Sequence, residues 1–142
     1  MRASAVLANG DDQSLARLGV LDSTKVRRVE ADVLVDTGAV LILLPQDMVE
    51  ALGLTPMDKA VVTLANDQKV EMAPAGPLVL TALGRTMNTD CLVGPPRCEP
   101  RLGQVVLERL DLIVDPVKRQ LTVRPESPFL PSLNAKYEGW KA

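Results

Sequence analysis

Apolar residues fall along this chain in short runs separated by turn formers, and that rhythm predicts strands. Residues 3–8 predict a first strand, followed by Asn9-Gly10-Asp11-Asp12, four turn formers in a row. Residues 14–18 are short and mixed in polarity, and Asp22-Ser23-Thr24 marks a loop. Residues 26–35 predict a long strand. Its front half alternates with Arg27, Arg28, Glu30 and Asp32, while its back half, Val33-Leu34-Val35, is wholly apolar. That is the pattern of a strand running from the surface into the core. Asp36-Thr37-Gly38 then turns the chain, and residues 40–44 predict a second, continuous apolar strand that Pro45 stops.

Residues 46–52 predict a short helix with Met48, Val49 and Leu52 on its apolar side and Gly53 as its C-terminal stop. Residues 61–64 and 69–72 flank Ala65-Asn66-Asp67-Gln68 and predict a β-hairpin with a polar tip. Residues 77–83 and 86–93 predict two more strands about Gly84-Arg85. Pro95, Pro96 and Pro100 make residues 94–100 a loop, because proline cannot donate within a central strand. Gly103 opens a second helix over residues 104–110, and residues 112–114 and 120–123 form a closing hairpin around Asp115-Pro116. Many short strands with one or two short helices predict a small, closed all-β barrel over residues 1–124. Residues 125–142, with their prolines and polar residues, read as a tail that is extended or docked on a partner.

Composition narrows the chemistry. The 142 residues suffice for one domain and hardly for two. A hydrophobic share of 46% with 24% charged residues is that of a globular protein. Aromatics amount to 2%, so the core is aliphatic and there is no stacking platform; with scattered basic residues, no nucleic-acid partner is expected. Histidine is absent, which removes Ser-His and Cys-His nucleophile pairs and histidine metal sites. Proton transfer then falls to carboxylates, with lysine a poorer alternative. Neither a metal nor another cofactor is expected. Cys91 and Cys98 are too few for a disulfide framework. They read as reduced thiols in a cytoplasmic protein, with a bridge across the intervening loop as the alternative. The start of the chain lacks a basic segment followed by an apolar one, so no signal peptide is expected, and residues 39–44 are too short a run to enter a membrane.

Asp36 stands out because a carboxylate directly after a buried strand is costly unless it has a task. Asp, Thr and Gly all suit turns, so the tripeptide alone is equally a plain strand end. The order of elements around it resembles the retropepsin-like aspartic proteases, in particular bacterial single-domain members. Two blocks carry the resemblance: residues 31–39, ADVLVDTGA, and residues 102–112, LGQVVLERLDL.

The resemblance implies an aspartic endopeptidase acting on peptide or unfolded protein. Two carboxylates a hydrogen bond apart share one proton and activate a water between them. Asp36 is the only aspartate here followed by Thr-Gly or Ser-Gly, so the second carboxylate must come from another copy, in a C2 homodimer. By position, Thr37 would bond across to the partner loop, and Gly38 would let backbone approach the carboxylates. Ala39 would line the substrate site where pepsin-like enzymes carry a hydroxyl. Its missing donor predicts activity at milder acidity. Ala65, Asn66, Asp67 and Gln68 would form the tip of a flap over substrate. Val40 and Arg101 depart from the family pattern, as does a flap tip without glycine. They leave open a second reading, a catalytically silent peptide-binding or dimerisation module. Phe129, Tyr137 and Trp140, in the tail, would dock on the body or on the other subunit, or belong to a mostly disordered end.

Overall fold

A computed structural model of the chain describes residues 1–64 and 66–134. The expectations attached to Ala65, Tyr137 and Trp140 lie outside the described residues. The core is a closed, mixed barrel of six strands. Strand β1 (Arg2–Asn9) pairs antiparallel with β2 (Arg28–Val35), which runs parallel to the two-residue β9 (Arg101–Leu102). Strand β9 abuts β3 (Leu43–Pro45), which runs parallel to β8 (Arg85–Gly94). Strand β8 pairs antiparallel with β7 (Pro74–Ala82), and the pairing of β7 with β1 closes the ring. The short β4 (Thr55–Pro56) adds to the start of β7. Two hairpins stand apart from this sheet: β5 (Ala60–Thr63) with β6 (Lys69–Met72), and β10 (Leu112–Asp115) with β11 (Gln120–Val123).

The interior is aliphatic. Leu7, Val33, Leu44, Leu52, Leu80 and Leu102 are completely buried. Strand β2 follows its sequence pattern, with Arg28, Glu30 and Asp32 exposed and Val33 and Val35 inside. The helix α2 (Gln46–Leu52) buries Val49 and Leu52 and ends on Gly53, whose φ of 64° is the left-handed cap that favours glycine. The helix α3 (Gln104–Leu110) buries Val106, Leu107 and Leu110. Cys91 behaves as a small core residue; burial, and secondarily the charge of Asp90, push its thiol up to about 12. No helix among the described residues is long and apolar enough to cross a membrane.

Three expectations are corrected. First, Asn9-Gly10-Asp11-Asp12 is not a turn but the start of a third helix, α1 (Gly10–Arg17). The same residue types serve turns and helix N-termini, because an Asx side chain can accept from a backbone N–H two or three residues on. Here Asn9 Oδ1 accepts from the Asp12 N–H at 2.9 Å, while Asn9 Nδ2 donates to the Leu52 and Gly53 carbonyls and ties α1 to the end of α2. Second, Arg27 is exposed but is not part of the strand. It precedes β2, and its Nε and Nη2 donate to the two oxygens of buried Asp12 at 2.8 and 3.0 Å. Third, residues 40–42 are not strand; β3 spans Leu43–Pro45 alone.

Residues 125–134 fold back onto their own barrel. Asp111, buried at the left-handed end of α3, accepts from Ser127 Oγ, from the Ser132 N–H at 2.9 Å and from Arg124 Nε at 2.8 Å. Buried Arg85 donates to the carbonyls of Leu110, Asp111 and Ser127. Phe129 sits on this segment and is 91% exposed, so it does not dock on the body.

Hydrogen bonds from Arg27 hold the Asp12 carboxyl at about 2, and those from Ser127, Ser132 and Arg124 hold Asp111 at about 2, both below the ordinary 3.8. Each depressed carboxylate contributes stability that is whole above 3.8 and is lost as pH falls through 3.8 toward 2. Urea midpoints measured against pH are expected to fall in that window. The Asp12→Asn, Asp111→Asn double variant is expected to be less stable at neutral pH and to show a flatter acid limb.

Candidate active site

Asp36 leaves the end of β2 on a backbone clamp. The Leu34 N–H donates to the Pro100 carbonyl and the Asp36 N–H to the Leu102 carbonyl, each at 2.9 Å, while the Val35 N–H reaches Met1 O at 2.8 Å. The aspartate is therefore seated across β9 before its side chain is considered. The loop then tightens: the Ala39 N–H donates to the Asp36 carbonyl at 3.1 Å, and the Gly38 N–H donates to Asp36 Oδ1 at 3.1 Å. A backbone donor on one carboxylate oxygen fixes the rotamer.

The far side of the loop is held by α3. The carbonyls of Ala39 and Val40 accept from the N–H groups of Gln104 and Val105 at 2.8 and 3.0 Å. These are first-turn donors that no residue within the helix can satisfy. Their capture of these two carbonyls is why the apolar run 40–44 cannot pair as a strand until Leu43. It also brings two backbones unusually close. A Cβ on Gly103 would lie 2.5 Å from the Val40 carbonyl carbon and 2.6 Å from the Val40 and Leu41 oxygens. Gly103 has a φ of −98°, so it is required for space and not for conformation. A Cβ on Gly38, by contrast, would meet only Asp36 Oδ1 at 3.4 Å, ordinary contact within one chain.

The loop faces outward. The Asp36 side chain is 34% exposed, Thr37 and Gly38 are exposed, and Ala39 is half-buried. The Thr37 hydroxyl has no hydrogen-bond partner among the described residues. Val40 and Leu41, both exposed, make an apolar margin beside it. Grooves of 490 and 510 Å³ lie along β1 and along α1, and Asp36 lines neither.

Arg101 supplies a contact that sequence reasoning missed. Its Nη1 lies 3.6 Å from Asp36 Oδ2. In β9, Arg101 alternates with fully buried Leu102, so its side chain emerges on the face that carries the loop. The only signal in the sequence was a cation where an aliphatic residue was expected.

The β5–β6 hairpin projects with both strands largely exposed. At its tip the Gln68 N–H donates to Asn66 Oδ1 at 3.0 Å, and Asp67 adopts a φ of 65°. Asp67 thus takes the left-handed position for which glycine was missed, a conformation that aspartate tolerates better than most residues. No described hydrogen bond or ion pair joins Asn66, Asp67 or Gln68 to the Asp36 loop.

A family model described as aspartyl protease matches residues 23–107, which include the whole of this loop and the β5–β6 hairpin. Among solved structures, the chain is similar to the EIAV protease complexed with the inhibitor HBY-793. The identity is 25%, over 57% of this chain and 77% of that one, with a TM-score of 0.46. It is also similar to the retroviral protease-like domain of Ddi1 from Leishmania major, at 16% identity over 68% of this chain and 81% of that one, with a TM-score of 0.49. No curated protein matches the chain.

Because the atoms facing Gly103 are backbone already engaged in hydrogen bonds, Gly103→Ala is expected to cost about 2–3 kcal/mol of stability. Gly84→Ala, which meets open space at a φ of 75°, should cost only the left-handed strain, about 1 kcal/mol. Equal costs in chemical denaturation would show that close approach is not what demands the glycine.

Proposed function

The chain belongs to the aspartyl protease family, and we propose that it is an endopeptidase of the retropepsin type whose site is completed by two Asp36 residues across a twofold axis. The observation that carries this reading is the presentation of Asp36. It lies on an exposed, rigidly clamped loop, with one oxygen held by the Gly38 N–H and the other clear of backbone donors. Among the described residues no second carboxylate bonds to it, so a single chain offers half of an acid–base pair.

In the pair, one carboxylate is ionised and takes a proton from water, and the other is protonated and donates to the scissile carbonyl. The unpartnered Thr37 hydroxyl would bridge to the partner loop, and exposed Val40 and Leu41 would be covered by it. Gly38 leaves the approach to the carboxylates open, and Ala39 borders the substrate. The peptide, or an unfolded stretch of protein, lies extended between the dyad and the hairpin tips, where Ala65, Asn66, Asp67 and Gln68 close over it. The barrel of residues 1–124 is the catalytic body, and residues 125–134 brace it. The reading needs no metal, cofactor or nucleic acid and suits a cytoplasmic protein. The Arg101–Asp36 pair favours one alternative, a silent module that binds peptide or dimerises without cleaving.

Cleavage of an unstructured protein substrate tests the assignment. Asp36→Asn is expected to lower kcat/KM by about 10²- to 10⁴-fold. Adding excess Asp36→Asn chain to wild type should suppress activity beyond simple dilution, because mixed dimers hold one competent carboxylate. Cleavage that survives Asp36→Asn would sink the mechanism, and a dimer that cuts nothing would favour the silent module. Ala39→Ser is expected to move the pH–rate profile toward acid, since a hydroxyl there supports the ionised dyad.

A further inference from the structure

Among the described residues, five arginine side chains lie against carboxylates or carbonyls: Arg2 pairs with Glu99, and Arg27, Arg85 and Arg124 hold their partners by hydrogen bonds. Arg27 grips Asp12 with two N–H donors at 2.8 and 3.0 Å. Arg124 reaches Asp111 at 2.8 Å. Arg85 is buried and donates to three carbonyls. Arg101 differs. Its side chain is as exposed as those of Arg27 and Arg124, but it stands 3.6 Å from Asp36 Oδ2, beyond hydrogen-bond length, and has no side-chain hydrogen bond among the described residues. A guanidinium carries five N–H donors in a planar fork and stays charged at any working pH. Here that fork is unsatisfied, half in solvent, and beside the carboxylate on which the proposed chemistry depends.

Two consequences follow from charge and geometry. A cation over Asp36 Oδ2 competes for the oxygen that must hold the attacking water. An unused planar fork at the same place is a receptor for a carboxylate, which it can grip bidentately at about 2.8 Å. A carboxylate arriving on the substrate satisfies the fork and draws the guanidinium away from Asp36. An apolar or amide side chain does neither.

Resting on the protease reading, we propose that Arg101 is the specificity-determining residue of this site and selects peptides that carry a carboxylate beside the scissile bond. The carboxylate comes from an Asp or Glu side chain or from a free C-terminus. Leu102 and Gly103 hold Arg101 in register: the first is locked in the core, and the second admits no side chain. The charge is thus presented from a rigid strand, between Leu34 of β2 and Leu43 of β3, and not from a loop.

The test uses the full chain and a set of fluorescent octapeptides, all glutamine at variable positions or with a single Glu moved through each position, every peptide made with free and amidated C-termini. Cleavage and fluorescence anisotropy are read in parallel at low salt. In wild type, at least one Glu position or the free terminus is expected to bind and react about tenfold better than its neutral match, the size of a charge-assisted hydrogen bond. The advantage should shrink at high salt. Comparing the side-chain series with the terminal series identifies the source of the carboxylate. Arg101→Leu is expected to remove the preference and to improve cleavage of the all-glutamine peptide. Arg101→Lys, which keeps the charge but not the fork, should retain part of the preference, and thermal melts confirm that each variant folds. A preference that persists in Arg101→Leu overturns the proposal. So does equal binding, or no binding, of Glu and Gln peptides by wild type. If wild type binds with the preference but cuts no peptide, the protease reading falls and the role of Arg101 stands. If it cuts Glu and Gln peptides equally, the reverse holds.

Discussion

The docking of the Asp36 loop against the first turn of α3 is the contact on which the rest of the site depends. Two carbonyls from the loop, those of Ala39 and Val40, satisfy two helix N–H groups that would otherwise be orphaned. The same approach fills the space where Gly103 would carry a side chain. Every later feature inherits its position from this contact. Asp36 is held from one side by β9 and from the other by the turn that α3 secures. Rigidity of this kind matters for acid–base chemistry, because a carboxylate must meet water and its partner at hydrogen-bond length without reorganising.

Around this centre the barrel is fastened by charge as well as by aliphatic packing. Asp12 with Arg27 closes the gap between α1 and the entry to β2, while Asp111 with Arg124, Ser127 and Ser132 seals the other end. Both carboxylates are buried and fully hydrogen-bonded, the condition under which a buried charge is tolerated. An interior almost without aromatic residues has no large side chain with which to bridge its periphery. The ion pairs do that bridging where apolar contact thins out.

Arg101 breaks this pattern. Its neighbours in the sheet, Leu34 and Leu43, are apolar, yet its own charge is left at the edge of the reacting group with its donors unspent. Arg27, Arg85 and Arg124 are hydrogen-bonded and structural; this one is neither. Such local inconsistency in an otherwise consistent fold is where function is expected to concentrate.

Much of the fold is written locally. Helices α2 and α3 follow from apolar spacing, a glycine stop after Leu52 and a glycine before Gln104. Strand β2 follows from the passage of charged alternation into a continuous apolar run, and Asp36 follows as the residue that ends it. The family match over residues 23–107 takes in the first block that carries the resemblance, residues 31–39, and the start of the second, residues 102–107. What local pattern could not decide was where backbone groups and charges find distant partners. Residues 40–42 are as apolar as any strand, but their neighbour is a helix end more than sixty positions away. Asn9 through Asp12 suit a turn or a helix start equally, and the carbonyls of Leu52 and Gly53 and the guanidinium of Arg27 tip the choice. Arg101 is legible as a misplaced charge, whereas its nearness to Asp36 is not. Sequence by itself determined which residues could carry carboxylate chemistry and most of the elements that form. Tertiary structure alone decided their partners, because hydrogen bonds and ion pairs depend on distance in space and sequence pattern records only distance along the chain.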